Sequence, residues 1–306
     1  MAAPAPASFA PVALSHDGPH LSPIVAGAWR MAEWGWNVQQ RLRWIEQCLE
    51  LGITGFDHAD IYGDYTVETL FGEALAQRPA LRQRVQIVTK CGVKLVSPRR
   101  PGHAAKSYDS SAEHVTASVD ASLRALRTDH IDVLLIHRPD ALMDPLQLAH
   151  TGERLRAAGK VAHFGVSNHS RSQFELLHRH LPLVTNQIEL SPLRTQALSD
   201  GTLDQCLQLS LRPMIWSPLA GGELMQATHA RARRVRSVLE DLGRRYGASV
   251  STMAYAWILR HPSHPVCITG SHRLERMRDA VAALGIRISG EDWYRVWQAS
   301  TGRPLP

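Results

Sequence analysis

Phe56-Asp57-His58-Ala59-Asp60-Ile61-Tyr62-Gly63 is the stretch on which the reading of this chain turns. It ends a short apolar run, Gly52-Ile53-Thr54-Gly55-Phe56, that reads as a buried strand. It leads into Val67-Glu68-Thr69-Leu70-Phe71-Gly72-Glu73-Ala74-Leu75, whose apolar residues recur at helical spacing. An Asp at a strand end and a Tyr five residues later share the mouth of one loop. In a barrel of parallel strands, that face carries the chemistry.

The same strand-then-helix unit recurs on both sides of this stretch. Apolar runs occupy residues 24–28, 53–57, 85–90, 131–137, 163–167, 185–189, 213–216 and 266–269. Helical spacing occupies residues 38–51, 66–77, 111–126, 146–158, 171–180, 234–246 and 274–284. Ser170 and Asp200 suit helix N-caps, and Gly159-Lys160 and Gly285 suit helix stops. Eight strands buried on both faces, each returned by a helix, predict a single-domain α/β fold, the closed (β/α)8 TIM barrel. An open doubly wound sheet is the competing arrangement. It usually carries G-x-G-x-x-G after its first strand, a pattern this chain lacks.

Residues 1–11 are Ala/Pro-rich and read as a disordered tail. Residues 12–306 read as the barrel domain, with residues 12–21 as a small cover turning at Asp17-Gly18. Residues 29–37, 91–109 and 217–232 form long loops after strand ends, so all three would rim the same mouth.

A barrel of this kind needs roughly 250 residues, and the 306 present suffice for one. Hydrophobic residues at 44% and charged residues at 20% describe an ordinary globular chain. The net charge of +6 comes almost wholly from Arg, since Lys occurs only at 90, 94, 106 and 160. That balance favours anionic ligands, whether phosphorylated cofactor or nucleic acid. The densest basic run, residues 231–236, reads as a solvated helix start rather than a polyanion site. Cys48, Cys91, Cys206 and Cys267 form no C-x-x-C pair and suggest neither disulfides nor zinc. His16 and His20, and His261 and His264, sit in Pro-containing stretches, and no metal is expected. No signal peptide or membrane span is read, so the expected compartment is cytoplasmic.

Polar residues close four of the apolar runs: Asp57, Lys90, His137 and Ser167-Asn168. Strand ends of a parallel barrel face one side, so these residues converge despite their separation. Asp57-x4-Tyr62 resembles the aldo-keto reductase pattern. So do Val88-Thr89-Lys90-Cys91-Gly92, Leu134-Leu135-Ile136-His137-Arg138-Pro139-Asp140 and Gly165-Val166-Ser167-Asn168. Asn186-Gln187-Ile188-Glu189 and Trp216-Ser217-Pro218-Leu219 match as well, all in family order. The chain is most similar to the bacterial YdhF-like subgroup.

The resemblance implies a catalytic tetrad of Asp57, Tyr62, Lys90 and His137. Carbonyl reduction adds hydride to carbon and a proton to oxygen. Tyr62 would be the proton donor. An ammonium about 4 Å from a phenol favours its anion by as much as ~4 kcal/mol at an effective dielectric of 20, so Lys90 is expected to lower the Tyr62 pKa. Asp57 would hold Lys90, and His137 would orient the carbonyl oxygen.

The resemblance also implies a nicotinamide cofactor bound without a Rossmann motif. Ser167, Asn168 and Gln187 would hold its carboxamide and Trp216 would stack on its ring. Ser217, Leu219 and Gly221 would wrap the pyrophosphate, with Ala28 and Trp29 contributing nearby. Ser271 and Arg276, at a helix start, would take a 2′-phosphate, which predicts NADPH over NADH. Asp279 stands where the family often has Glu, and Gly270 where it often has Lys. Trp29, Trp34 and Trp36 are expected to wall the substrate pocket and suggest an apolar or aromatic carbonyl compound. The expected partner is that small molecule, with no nucleic acid and no membrane. A barrel that binds cofactor but turns over little is the alternative, and an intact tetrad favours the enzyme.

Overall fold

The computed structural model describes residues 9–304. Most of the expected tail, residues 1–8, lies outside them; residues 9–11 carry no strand or helix.

Eight strands close into one parallel barrel. In chain order they are β1 (Ile24–Gly27), β2 (Gly55–Asp57), β3 (Gln86–Cys91), β4 (Ile131–Ile136), β5 (Val161–Ser167), β6 (Leu183–Glu189), β7 (Met214–Trp216) and β8 (Val266–Thr269). Each pairs with its sequence neighbour, and β8 returns to β1 through Ile268 beside Val25. All eight apolar runs are strands, with ends moved by one or two residues.

The helices are α1 (Val38–Glu50), α2 (Val67–Leu75), α3 (Ala112–Leu126), α4 (Pro145–Ala157), α5 (Arg171–His178), α6 (Thr202–Gln208), the single turn α7 (Glu223–Gln226), α8 (Ala230–Tyr246), α9 (Val250–Leu259), α10 (Leu274–Ala282) and α11 (Gly290–Thr301). Ser170 caps α5 as expected, in a reciprocal box with Gln173. Asp200 does not cap α6. Gly201, at φ +82°, holds that position, and Asp200 accepts only the Thr202 N–H. The basic run lies inside α8, whose start is capped by the His229 ring.

Side-chain alternation builds two layers. Val25, Val88, Val133, Leu135, Met214 and Val266 fill the barrel interior, where Leu14 and Leu21 of the N-terminal hairpin close its lower end. The opposite faces of the strands, Phe56, Ile87 and Leu134 among them, pack on the helices. Gly72 sits where α2 meets α3. A Cβ there would lie 2.1 Å from the Ala125 carbonyl oxygen, so the helices approach only because that atom is missing.

Candidate active site

The inward parity of β3 and β4 continues past the last apolar layer. Val88 is followed two residues on by Lys90, and Leu135 by His137, so both polar groups surface at the carboxyl end of the barrel. Asp57 ends β2 beside them. The register of β6 against β5 shifts between Leu183 and Asn186. After that shift Gln187 faces Asp57, and its Nε2 donates to Asp57 Oδ1 at 2.8 Å.

Lys90 is 1% exposed. Its Nζ donates to both Asp57 oxygens at 2.8 Å, to the His58 carbonyl at 2.6 Å and to the Tyr62 hydroxyl at 3.2 Å. The ammonium is thus fully engaged, with the phenol as one of its acceptors. The Tyr62 and His137 rings meet edge to face at 5.9 Å between centroids. The turn after Tyr62 is tightly wound: Gly63, Asp64 and Tyr65 have φ of 54°, 53° and 63°. Two consecutive non-Gly residues in the left-handed region are costly. The turn is anchored by the Tyr65 hydroxyl, which accepts the Leu95 N–H at 2.9 Å, and by Arg100 over the Tyr65 ring.

Burial raises the Tyr62 pKa and the Lys90 charge opposes it; burial prevails. The expected lowering is therefore not the net effect. Desolvation of the phenol outweighs the attraction of the ammonium. Lys90 is penalised by burial, but Asp57 and Tyr62 more than restore it and its pKa is raised. His137 is held well below the usual range by burial, then by Lys90 and Arg138. The site thus holds an ammonium, a protonated phenol and a neutral imidazole at neutral pH. Such a set can hydrogen-bond a carbonyl oxygen and hand it a proton.

Behind Tyr62 lie further buried titratable groups, Glu68, Asp60 and His58. Glu68 of α2 is buried and accepts from Thr89 Oγ1 at 2.5 Å and Ser122 Oγ at 2.9 Å. Burial pushes its carboxyl up to about 7. Asp60 is raised well above its ordinary value by burial and then by Glu68, and its Oδ1 has no partner among the described residues. His58 is buried against Phe71 and pushed down to about 3. A Glu at an otherwise apolar helical position, facing a strand Thr, was the available signal for Glu68.

Profile comparison matches residues 23–300 to the Aldo/keto reductase family. The chain belongs to the aldo/keto reductase family. It is 46% identical to the uncharacterized oxidoreductase YcsN of Bacillus subtilis over 289 residues, 94% of this chain and 96% of that one. It is 43% identical to the oxidoreductase YdhF of Escherichia coli, covering 96% of this chain and 99% of that one. A 6-dehydroglucose reductase of Agrobacterium fabrum is 40% identical, with 96% and 99% covered. Glycerol dehydrogenase from Gluconobacter oxydans shares the fold, with a TM-score of 0.84, 22% identity and 98% of each chain covered.

Aldo/keto reductases generally use nicotinamide cofactors, and the strand ends of this chain carry a row of hydrogen-bonded polar side chains. Trp216 Nε1 donates to Asn168 Oδ1 at 3.0 Å, Asn168 Nδ2 to Ser167 Oγ at 2.8 Å, and Ser167 Oγ to the Gln187 carbonyl at 3.0 Å. This row fixes the indole orientation. Ser217, Ala220, Gly221 and Gly222 all have positive φ, and the space before Gly221 is open. A turn of that shape presents backbone N–H groups to an anion. Leu219 lies inside this turn and packs on the core. Ser271 Oγ accepts the Arg273 N–H, Arg276 is exposed, and α10 starts without a side-chain cap. Asp279 is tied to Ser251 of α9 and to Thr252 through its carbonyl, so it anchors α10.

Ala28 is buried and donates to the Asp57 carbonyl at 2.9 Å. Trp29 is 56% exposed. Trp34 and Trp36 pack on each other, and both contact the His272 ring, at 5.6 and 5.5 Å. Trp34 also meets Trp44 of α1. Their packing is thus toward the loop after β8. Among the described residues no three His, Cys, Asp or Glu cluster to hold a metal, and no helix is long and apolar enough to cross a membrane.

Proposed function

We propose that the protein is an NADPH-dependent reductase of aldehydes or ketones in which Tyr62 is the general acid. The observation that carries this reading is the buried ammonium of Lys90, bonded at once to Asp57 and to the Tyr62 hydroxyl. A titratable group perturbed by burial and a specific charge partner at the carboxyl end of a barrel is where a functional group is expected.

The bound nicotinamide would supply the hydride. Ser167, Asn168 and Gln187 would hold its carboxamide, and Trp216 would support its ring. Ser217, Leu219 and Gly221 would meet the pyrophosphate, with Ala28 and Trp29 beside them. Ser271 and Arg276 would take the 2′-phosphate. The open turn at Gly221 and the uncapped start of α10 support both anion contacts. Asp279 supports α10 from behind.

Tyr62 and His137 would both donate to the carbonyl oxygen. Neutral His137 adds no charge to the resting site but stabilises the oxygen as negative charge develops. Tyr62 then releases its proton to that oxygen. The phenolate left behind sits 3.2 Å from the Lys90 ammonium, which limits the cost of forming it. Asp57 keeps Lys90 charged and placed throughout. Residues from 12 onward would act as one catalytic domain. Four free, buried cysteines suit a reducing compartment, and the cytoplasm is the proposed location.

The test is NADPH oxidation over a panel of aldehydes, ketones and dicarbonyls, with Tyr62→Phe alongside. The variant should lose at least ~100-fold in kcat while NADPH binding, read by fluorescence, stays within about threefold. Equal loss of both would refute the role given to Tyr62. A native protein that binds NADPH but reduces nothing in the panel would refute the activity.

A further inference from the structure

We propose that Trp34 and Trp36 hold His272 so that the loop carrying Ser271 is set to receive the 2′-phosphate of NADPH, which makes these three rings determinants of cofactor choice. The inference rests on the NADPH reading above and adds to it residues that act through the loop, without touching the phosphate.

The loop after β1 is built to be stiff. Met31 is buried in a single helical turn at its start, and Asn37 closes it in a reciprocal capping box with Gln40 of α1. Between the tryptophans, Gly35 has φ of +66° and nothing near the position of a Cβ. That left-handed residue lets rings two positions apart meet one partner. Trp34 packs on Trp36 at 4.9 Å between centroids and on the buried Trp44 at 5.1 Å. Trp44 in turn meets Phe56 of β2 at 5.7 Å. The two rings are therefore anchored to the core, and both reach His272, at 5.6 and 5.5 Å.

The receiving loop has few ties of its own. Residues 270–273 join β8 to α10, and Thr269 pairs with Ala26 of β1, so the two loops leave the barrel side by side. The space around Gly270 is open, and the Ser271 hydroxyl is tied within the loop, to the Arg273 N–H at 3.1 Å. Arg273 and Arg276 are exposed and of like charge, which opposes an ordered loop until an anion joins them. Burial and then those two arginines hold the His272 pKa below its ordinary value, so ring packing rather than charge fixes the imidazole. A loop already ordered does not lose that freedom when a ligand binds. NADH, which lacks the 2′-phosphate, would gain nothing from it at Ser271.

Calorimetric titration with adenosine 2′,5′-bisphosphate and with adenosine 5′-monophosphate reads the seat without turnover. The native protein should bind the bisphosphate about tenfold or more tightly, the worth of one hydrogen bond to a charged group. His272→Ala and Trp36→Ala should each lower that ratio about threefold or more, an aromatic pair being worth roughly 2- to 12-fold, and leave monophosphate affinity within about twofold. His272 is exposed, so its replacement leaves the core untouched. His272→Phe, which keeps a ring, should restore most of the native ratio. Trp36→Ala added to His272→Ala should lower the ratio no further, because both act through one contact. A native ratio unmoved in both single variants, a His272→Phe no better than His272→Ala, or an additive double variant would overturn the clamp. A native protein that binds the two ligands alike would overturn the 2′-phosphate seat itself, and the clamp with it.

Discussion

Replacing Asp57 by Asn tests the charge logic of the site with little change of shape. Both Asp57 oxygens lie 2.8 Å from Lys90 Nζ in a buried setting. At that distance two unit charges attract by about 6 kcal/mol at an effective dielectric of 20, an upper bound on what the ammonium loses. Two results should follow. The first is stability: stranding a buried charge costs roughly 3–5 kcal/mol, or about 10 °C in Tm for a chain of this size. The sign of its pH dependence should also reverse. In the native protein the Lys90 pKa is raised. Its contribution is complete below the unfolded value and disappears only as pH rises through the folded value. Without Asp57, burial is left to lower that pKa, the unfolded chain binds the proton better, and stability climbs with pH. The second result is activity. Tyr62, already raised by burial, loses its counter-charge, so kcat/KM should fall at least ~100-fold at pH 7. The alkaline limb should move down by more than about one pH unit, because Lys90 without Asp57 gives up its proton at lower pH. Thermal melts and NADPH oxidation across pH 6–10 read both. A variant with native Tm, no reversed slope and an unmoved alkaline limb would refute the claim that Asp57 holds Lys90 charged.

Glu68→Gln concerns the buried carboxyl behind the site. Its folded pKa of about 7 exceeds the ordinary 4.5. Native stability should therefore fall as pH rises from 4.5 to 7, by up to about 3 kcal/mol. The variant should lack that fall, and denaturant midpoints of equal slope in both proteins would reject it. Gly72→Ala forces a Cβ to 2.1 Å from the Ala125 carbonyl oxygen. It should cost at least ~2 kcal/mol in urea unfolding, and a neutral result would mean that α2 and α3 separate freely. Ser271→Ala with Arg276→Gln should cut the NADPH-to-NADH ratio of kcat/KM at least ~10-fold. An unchanged ratio would place the 2′-phosphate elsewhere.

The sequence by itself determined the barrel. Strands buried on both faces must be apolar almost throughout, and the eight apolar runs that this requires are visible at residues 24–28 through 266–269. It also singled out Asp57, Lys90 and His137 as polar residues ending such runs, with Tyr62 five residues beyond Asp57, while their grouping as a tetrad came from the family resemblance. Tertiary structure decided what depends on distance and dielectric. Whether burial or Lys90 governs the Tyr62 proton cannot be read from spacing, since desolvation depends on every atom packed around the ring. The register shift in β6 and the hydrogen bond from Gln187 to Asp57, 130 positions away, leave no mark in the composition. The packing of Trp34 and Trp36 on His272 joins the first loop of the barrel to the last, residues more than two hundred positions apart. Local patterns report which surface a residue prefers, whereas partners across a closed sheet are chosen only when the sheet closes.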